Sequence, residues 1–551
     1  MILNHLKIAI RTLLKNKGYS FLNIFGLAIG ITCASLIFLW VEDEMSFNTG
    51  FGKQDLVYYV PTNQQYEGEW RTFYSTPGPL AEDMKNEIPG IFRSTRSNQQ
   101  ECLFTVGDNA ITRSGRYADA DFLEIFDLKF IEGDRAEAFK NREAMVLTQE
   151  VAEQLFGQGE RALGKVIKVN GKDDYLVTGV IENLPKNVTF KFDWVAPFER
   201  YQEGEDWMLE YGNNFSDTFV ELSPESDFSV VDAKVRQLIQ QKNEDIDTYA
   251  FLHSIKDWHL RSKFENGKII GGRITYVRLF VIIAIVILLI ACINFMNLST
   301  ARSEKRANEV GVRKAIGSTR SRLITQFISE AVVLSSIATL LSILLLAALL
   351  PQFNRIIDKT LTLDLLQPLH MISLVGVALI CGLLAGLYPA FYLSSFKPIE
   401  VLKGLKSTES SATFIRKGLV VGQFTISIVF IITTILVYQQ IQHAKNRDLG
   451  LDMDQLLSMR IDEDFIPKFD LVQQELIRTG SVKNATLCNS ELLSGGNNGS
   501  GFSWKGGTDT EDVLISFRNV TQSFFDTAGM EIIEGRGFSN NVEADSVARG
   551  G

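Results

Sequence analysis

The chain has 551 residues, 46% of them hydrophobic and 22% charged, with a formal net charge of -10. Long apolar runs alternate with long polar segments, and the acidic balance argues against nucleic acid as a main partner. Of the five cysteines, Cys33, Cys292 and Cys381 lie inside apolar runs as packing residues, while Cys102 and Cys488 fall in different soluble segments, so neither a disulfide framework nor a zinc spacing is present.

In chain order, residues 1–18 come first. Ile2, Leu6, Ala9, Ile10, Leu13 and Leu14 share one helical face that Lys7, Arg11 and Lys15 avoid, which predicts a cytoplasmic amphipathic helix at the membrane interface. The run 21–41 is as long as the roughly 20 residues a span requires. No small-x-small cleavage site precedes Glu42-Asp43-Glu44, so an uncleaved first span over 19–42 is expected. Gly26 and Gly30 give it a small-xxx-small face for close helix packing.

Residues 43–275 read as a soluble α+β segment. Pro79 opens a helix that stops before Pro89-Gly90, Gly157 caps another that covers 147–157, and 230–241 is amphipathic. Asn170-Gly171 marks a hairpin turn within 165–181. The segment contains no GxSxG, HExxH, Walker A or CxxC motif. His253 and His259 flank Trp258 without a third ligand at metal spacing. Asp119, Asp121, Glu124 and Asp127 lack the spacing and glycine of a calcium loop and read as a solvated face.

Further spans are expected over 276–298, 327–350, 370–394 and 418–440. Between them lie a segment over 299–326, an outer loop over 351–369 and a linker over 395–417. Residues 441–551 form a second soluble domain. Basic residues gather in 299–326 and 395–417, which places both in the cytoplasm and the soluble domains outside. The fourth span carries Gly382 and Gly386, a second small-xxx-small face. No span holds an Asp, Glu, Lys or Arg near its centre, unlike a proton-coupled transporter. No GxxxxGK[ST] occurs, so any ATPase is expected on another chain.

The stretch 299–326 organises the chain. From Ser303 to Ile316 only Gly311 interrupts helix formers, and Gly317 ends the run as a C-cap. Glu309 and Arg313 are four apart in the favourable order for a helical ion pair, and Val312 and Ile316 share a face. This describes a charged helical knob suited to docking a cytoplasmic partner. The motifs NLSTARS and RANEVGVRKAIGS here, with YPAFYLSSFKPIEVLKG at 388–404, resemble the signatures of FtsX/MacB-type permease subunits of ABC transporters. The resemblance spans nearly the whole chain. It implies that Glu309, Val310, Gly311, Val312, Arg313, Lys314 and Gly317 adjoin a nucleotide-binding subunit, with Val310 and Val312 filling its groove. It also implies a MacB-type periplasmic core domain over 43–275, an inner-membrane location with a cytoplasmic N-terminus, and ATP and magnesium on a homodimeric ATPase partner, with no cofactor on this chain.

FLEIFDLKFIEGD (122–134) aligns with FFDTAGMEIIEGR (524–536), pairing Phe122 with Phe524 and Glu132-Gly133 with Glu534-Gly535. The expected fold class is therefore membrane α-helical with α+β extracytoplasmic domains, in two tandem copies of span–periplasmic domain–three spans, the second copy truncated. The expected function is a permease moving an amphiphile, peptide or lipoprotein, in contact with the lipid bilayer and with a periplasmic adaptor as a further candidate partner. The alternative is a mechanotransmitting regulator of a cell-wall hydrolase or sensor. A membrane-tethered enzyme lacks a catalytic constellation, and a plain scaffold leaves the knob without a purpose.

Overall fold

The computed structural model describes residues 17–244, 246–301, 310–395, 410–447, 449–461, 463–493, 497–499, 513–539, 541–542 and 545. The amphipathic helix expected over 1–18 lies, but for its last two residues, outside them, as do Glu309 and most of the linker 395–417. The chain divides into two units. One comprises Met1–Phe47 and Gly271–Gln440, the other Asn48–Ile270 and Ile441–Gly551.

The first unit is built from α1 (Lys17–Met45), α2 (Arg273–Ala301), α3 (Arg320–Ile357), α4 (Pro368–Ser394) and most of α5 (Ser410–Lys445). Five helices among the described residues are long and apolar enough to cross a membrane. Helix α1 packs on α2 and α3, and α4 on α3 and α2. Their shared core is small: Ala28, Ala291, Cys292, Ala331, Ala338, Cys381 and Ala385 sit among Leu27, Ile31, Phe295 and Leu334. Hydrocarbon supplies no hydrophobic drive for helices to associate, so contact must come from close backbone approach. The glycines mark where it occurs. A Cβ at Gly30 would lie 2.6 Å from the Ala291 Cβ, one at Gly382 2.8 Å from the Val332 Cα, and one at Gly386 2.7 Å from the Ala331 Cβ. Gly26 is looser, facing the Asn294 side chain at 3.4 Å.

Two bounds differ from the apolar pattern. Helix α1 continues through Glu42-Asp43-Glu44 because those carboxylates find partners, Asp43 and Glu44 in Lys359 and Arg273 and Glu42 in the His370 ring. Helix α3 begins at Arg320 and runs past Pro351, where an outer loop was expected, to Ile357. The hydrogen bond that Pro351 cannot donate is offset by packing of Leu346, Leu350, Phe353 and Ile357 around Leu39 and Leu361. Asp358, at φ 51°, then ends the helix. Helix α5 is different: it buries none of its apolar window, and Ile428, Val429, Ile432 and Leu436 are all more than half exposed.

The second unit is organised by a mixed sheet of eleven strands. Nine form its main path: β1 (Val57–Tyr59), β2 (Ile91–Val106), β3 (Asn109–Ala118), β4 (Phe130–Gly133), β5 (Ala144–Thr148), β6 (Asp173–Ile181), β7 (Trp194–Pro197), β8 (Asn214–Leu222) and β9 (His253–Ser254), in the order β9-β1-β8-β2-β3-β7-β5-β6-β4. The pairs β3–β7 and β5–β6 are parallel and the others on this path are antiparallel. Asn170 and Gly171, both at positive φ, turn Val166–Val169 back onto β6. Gly157, at φ 102°, closes the helix Gln149–Phe156. One core layer is aromatic, with Phe122, Phe126, Phe190, Phe192 and Phe219 in mutual contact. In another, the Trp194 ring lies against the backbone of Gly115, where a Cβ would come within 2.2 Å of it. Buried Arg116 on β3 is neutralised across the sheet by Asp217 on β8 at 2.7 Å and also donates to Ser97.

The aligned segments 122–134 and 524–536 share a local conformation. Phe126 N donates to Phe122 O and Leu128 N to Leu123 O (each 3.2 Å). At the matching positions Ala528 N donates to Phe524 O and Met530 N to Phe525 O (each 2.9 Å). Asp127 and Gly529 are both left-handed, as are Gly133 and Gly535.

Gly382→Leu should force α3 and α4 apart and cost about 1–3 kcal/mol by overpacking. Gly376→Leu, in the same helix with nothing within 4 Å of its Cβ, should leave the melting temperature of the detergent-solubilised chain unchanged.

Candidate functional site

The 299–326 segment is described over 299–301, at the end of α2, and again from Val310, in a helical stretch over 310–315. Gly317 stops it at φ 98°. Gly317 N donates to Lys314 O and Ser318 N to Arg313 O, each at 3.0 Å. Together these two bonds make a Schellman motif, which a left-handed glycine permits. The chain then turns directly into α3.

The short helix is fastened to the bundle along one side. Val310 is 2% exposed and packs with Leu323 and Phe327 of α3 and Ala390 and Leu393 of α4. It is therefore an internal wedge, and the expectation that it fills a partner's groove is corrected. Gly311 beside it is also buried. Arg313 Nη1 donates to Gln326 Oε1 at 2.8 Å, and Gln326 Nε2 to Glu330 Oε1 at 3.1 Å, a relay that ends on a buried carboxylate of α3. Lys314 Nζ donates to Ser394 O at 2.6 Å, placing its charge on the carbonyl end of α4. Burial, helped by the nearby Arg320, holds the Lys314 ammonium below the ordinary lysine range.

The opposite side faces out. Val312 is 47% exposed and Ile316 82%. They are one turn apart, with exposed Arg320 and Arg322 following. The knob thus presents two apolar side chains with basic residues nearby, on a helix fixed by its own cap, by two polar attachments to α3 and α4 and by the burial of Val310 between them. Gln326, Glu330 and Ser394 were not singled out from the sequence. The four-residue spacing of Gln326 and Glu330 inside an apolar run was the available signal.

The soluble unit holds no comparable constellation. Among the described residues no group of three or more His, Cys, Asp or Glu could hold a metal ion. His253 is buried on β9 against the Phe264 ring, and desolvation lowers its pKa below the ordinary 6.5. The acidic cluster is ion-paired rather than simply solvated: Asp119 with Arg96, Asp121 with Lys85, and Glu124 and Asp127 with Arg135. Burial pushes the Asp119 carboxyl above its usual range despite Arg96. A groove of about 200 Å³ between Asp121, Glu124, Arg135 and Lys140 is lined by both signs of charge.

Residues 20–238 match the MacB-like periplasmic core domain family, and residues 281–398 match the FtsX-like permease C-terminal family. The chain is similar to the ABC transporter permease YvrN of Bacillus subtilis, 23% identical over 433 residues that cover 73% of this chain and 100% of the relative. It is also similar to the macrolide export ATP-binding/permease protein MacB of Bdellovibrio bacteriovorus, 26% identical over 270 residues, 47% of this chain and 38% of that protein. A crystal structure of a domain of a putative permease protein from Porphyromonas gingivalis aligns with 37% of this chain and 92% of its own, at 21% identity and a TM-score of 0.33.

Val310→Ala should cost about 1–3 kcal/mol through the cavity it leaves. It should therefore raise the rate of tryptic cleavage after Arg313 and Lys314 by roughly an order of magnitude through local opening, whereas Val312→Ala should leave that rate unchanged. His253 gives a pH test. As pH falls through 6.5 an unfolded histidine takes up a proton that the buried one resists, so stability should fall with pH from that point downward. His253→Phe should flatten that slope between pH 5 and 7 in urea titrations followed by tryptophan fluorescence.

Proposed function

The chain carries both domains of an FtsX/MacB-type permease, and from that premise we propose that it is the permease subunit of an ABC transporter whose ATPase is a separate chain, a homodimer holding ATP and magnesium. The observation that carries this reading is the pair Val312 and Ile316, held outward on a capped helix whose other side is fastened to α3 and α4. A push on such a helix is passed to α3 and α4 rather than absorbed locally. Val312 and Ile316 make the apolar contact. Arg313, Lys314 and Gly317 fix the helix, Val310 and Gly311 seat it, and Glu309 stands four residues before Arg313 in the sequence.

The basic character of 299–326 supports a cytoplasmic knob in an inner-membrane protein, with the soluble unit in the periplasm. ATP-driven motion of the knob tilts the spans and moves the periplasmic domains, which handle an amphiphile, peptide or lipoprotein. The chain repeats its plan, span then soluble domain. Supporting this are the matched hydrogen bonds and left-handed residues of 122–134 and 524–536 and the order of α1 and α5, each a long apolar helix that precedes one of the two aligned segments.

The test is purification from native membranes under gentle extraction, comparing wild type with Val312→Asp/Ile316→Asp. An ABC ATPase should accompany wild type and be lost from the double variant, which should elute as wild type does. Retention by the variant would sink the docking role of this face. Absence of an ATPase from wild type would sink the permease-subunit reading.

A further inference from the structure

The outer end of the helical unit contains a charge cluster that the proposed function does not use. Glu44, at the end of α1, has a side chain only 1% exposed. Its Oε1 accepts from Arg273 Nη1 of α2 at 3.3 Å and from Lys359 Nζ of the α3–α4 loop at 2.7 Å. Lys359 also pairs with Asp43 and lies 5.2 Å from the Phe47 ring centroid. Two residues before Glu44, Glu42 Oε2 meets His370 Nε2 of α4 at 2.8 Å, and the His370 ring is also hydrogen-bonded to the Asp364 backbone. The loop is itself tied by Asn354, whose side chain bonds both the N–H and the carbonyl of Leu361. Beneath the cluster lies an apolar floor of Leu39, Leu346 and Leu361.

The position of these residues in the chain gives the cluster its meaning. The backbone leaves the helical unit after Phe47 and re-enters it at Gly271. Glu44 stands three residues before the exit and Arg273 two residues after the return. One buried carboxylate therefore joins both connections, and Lys359 fixes the pair to the loop between α3 and α4. Glu44 is buried and shared by both cations, so losing either leaves its charge only partly compensated and loosens the whole cluster. The last turn of α5, with Gln442, His443, Ala444 and Lys445, carries no carboxylate and cannot build the same arrangement.

We propose that this cluster is a transmission joint, with Glu44 as its centre. It makes the outer ends of α1 and α2 and the α3–α4 loop one rigid body, so that any tilt of α3 or α4 reaches both connections together. The proposal concerns the mechanics of this chain and does not depend on the docking of an ATPase.

The test uses the full chain in lipid nanodiscs, with the half-buried thiols Cys33 and Cys488 changed to Ser. Spin labels are placed at the outer pair Tyr276 and Ile356, both exposed, and at an inner control pair, Thr325 and Phe391. Electron paramagnetic resonance should read one narrow distance peak for each pair in the unsubstituted joint. Glu44→Gln should abolish the narrow outer peak and leave the inner peak unchanged. An unchanged outer peak would overturn the proposal. Broadening of both pairs would also overturn it, since Glu44 would then act on folding in general. If Glu44→Gln does not accumulate, Arg273→Gln, at a half-exposed cation, must broaden the outer pair alone. Lys359→Met combined with Arg273→Gln should broaden it no further than Lys359→Met by itself, and additive broadening would count against a single joint.

Discussion

Backbone-to-backbone contact between helices is the constraint from which the membrane part of this protein follows. Leu and Ile gain nothing by leaving lipid for one another, so four helices can be held together only where their axes come close. Gly30 against Ala291, and Gly382 and Gly386 against Val332 and Ala331, provide that approach. Larger side chains then fill what remains, and hydroxyls such as Ser335, donating to the Ala378 carbonyl at 2.6 Å, add directional links between α3 and α4. The small helix at one end of α3 and α4 is attached to both partners of this tight contact.

That small helix derives its orientation from three unlike interactions. Val310 anchors it by burial, Arg313 by a relay through Gln326 to Glu330, and Lys314 by the carbonyl end of α4. Because each attachment lies on the same side, Val312 and Ile316 are left facing outward among the described residues. Position here follows from what is tied down, and the exposed pair is the remainder.

Much of this plan is legible in the sequence, and the reasons differ by residue. Asn170-Gly171 and Gly157 could be read directly because a left-handed backbone restricts the residues that tolerate it. Gly317 belongs to the same class. The small-xxx-small pairs were legible because their spacing is set by one helix alone. Features that depend on a distant partner were not. Val310 and Val312 look alike in sequence, and only Leu323, Phe327 and Leu393 decide which is buried. Pro351 reads as a helix stop, but packing against Leu39 and Leu361 carries α3 beyond it. The carboxylates from Asp119 to Asp127 read as solvated because their cations, Lys85, Arg96 and Arg135, come from other segments. Arg116 and Asp217 are a hundred residues apart and adjoin only because β3 and β8 flank β2.

Helix α5 has a consequence for how the protein meets its bilayer. Its apolar stretch over 418–438 is about 32 Å long at ~1.5 Å per residue, close to the hydrocarbon thickness of roughly 30 Å. Among the described residues none of its apolar window is buried, whereas α1–α4 are locked where their glycines meet neighbouring helices. A change of lipid thickness therefore meets two different surfaces, helices whose mutual angles are set by close backbone contact and a helix held by no such contact among these residues. Acyl-chain length thereby becomes a variable to which one part of this molecule responds and the other does not.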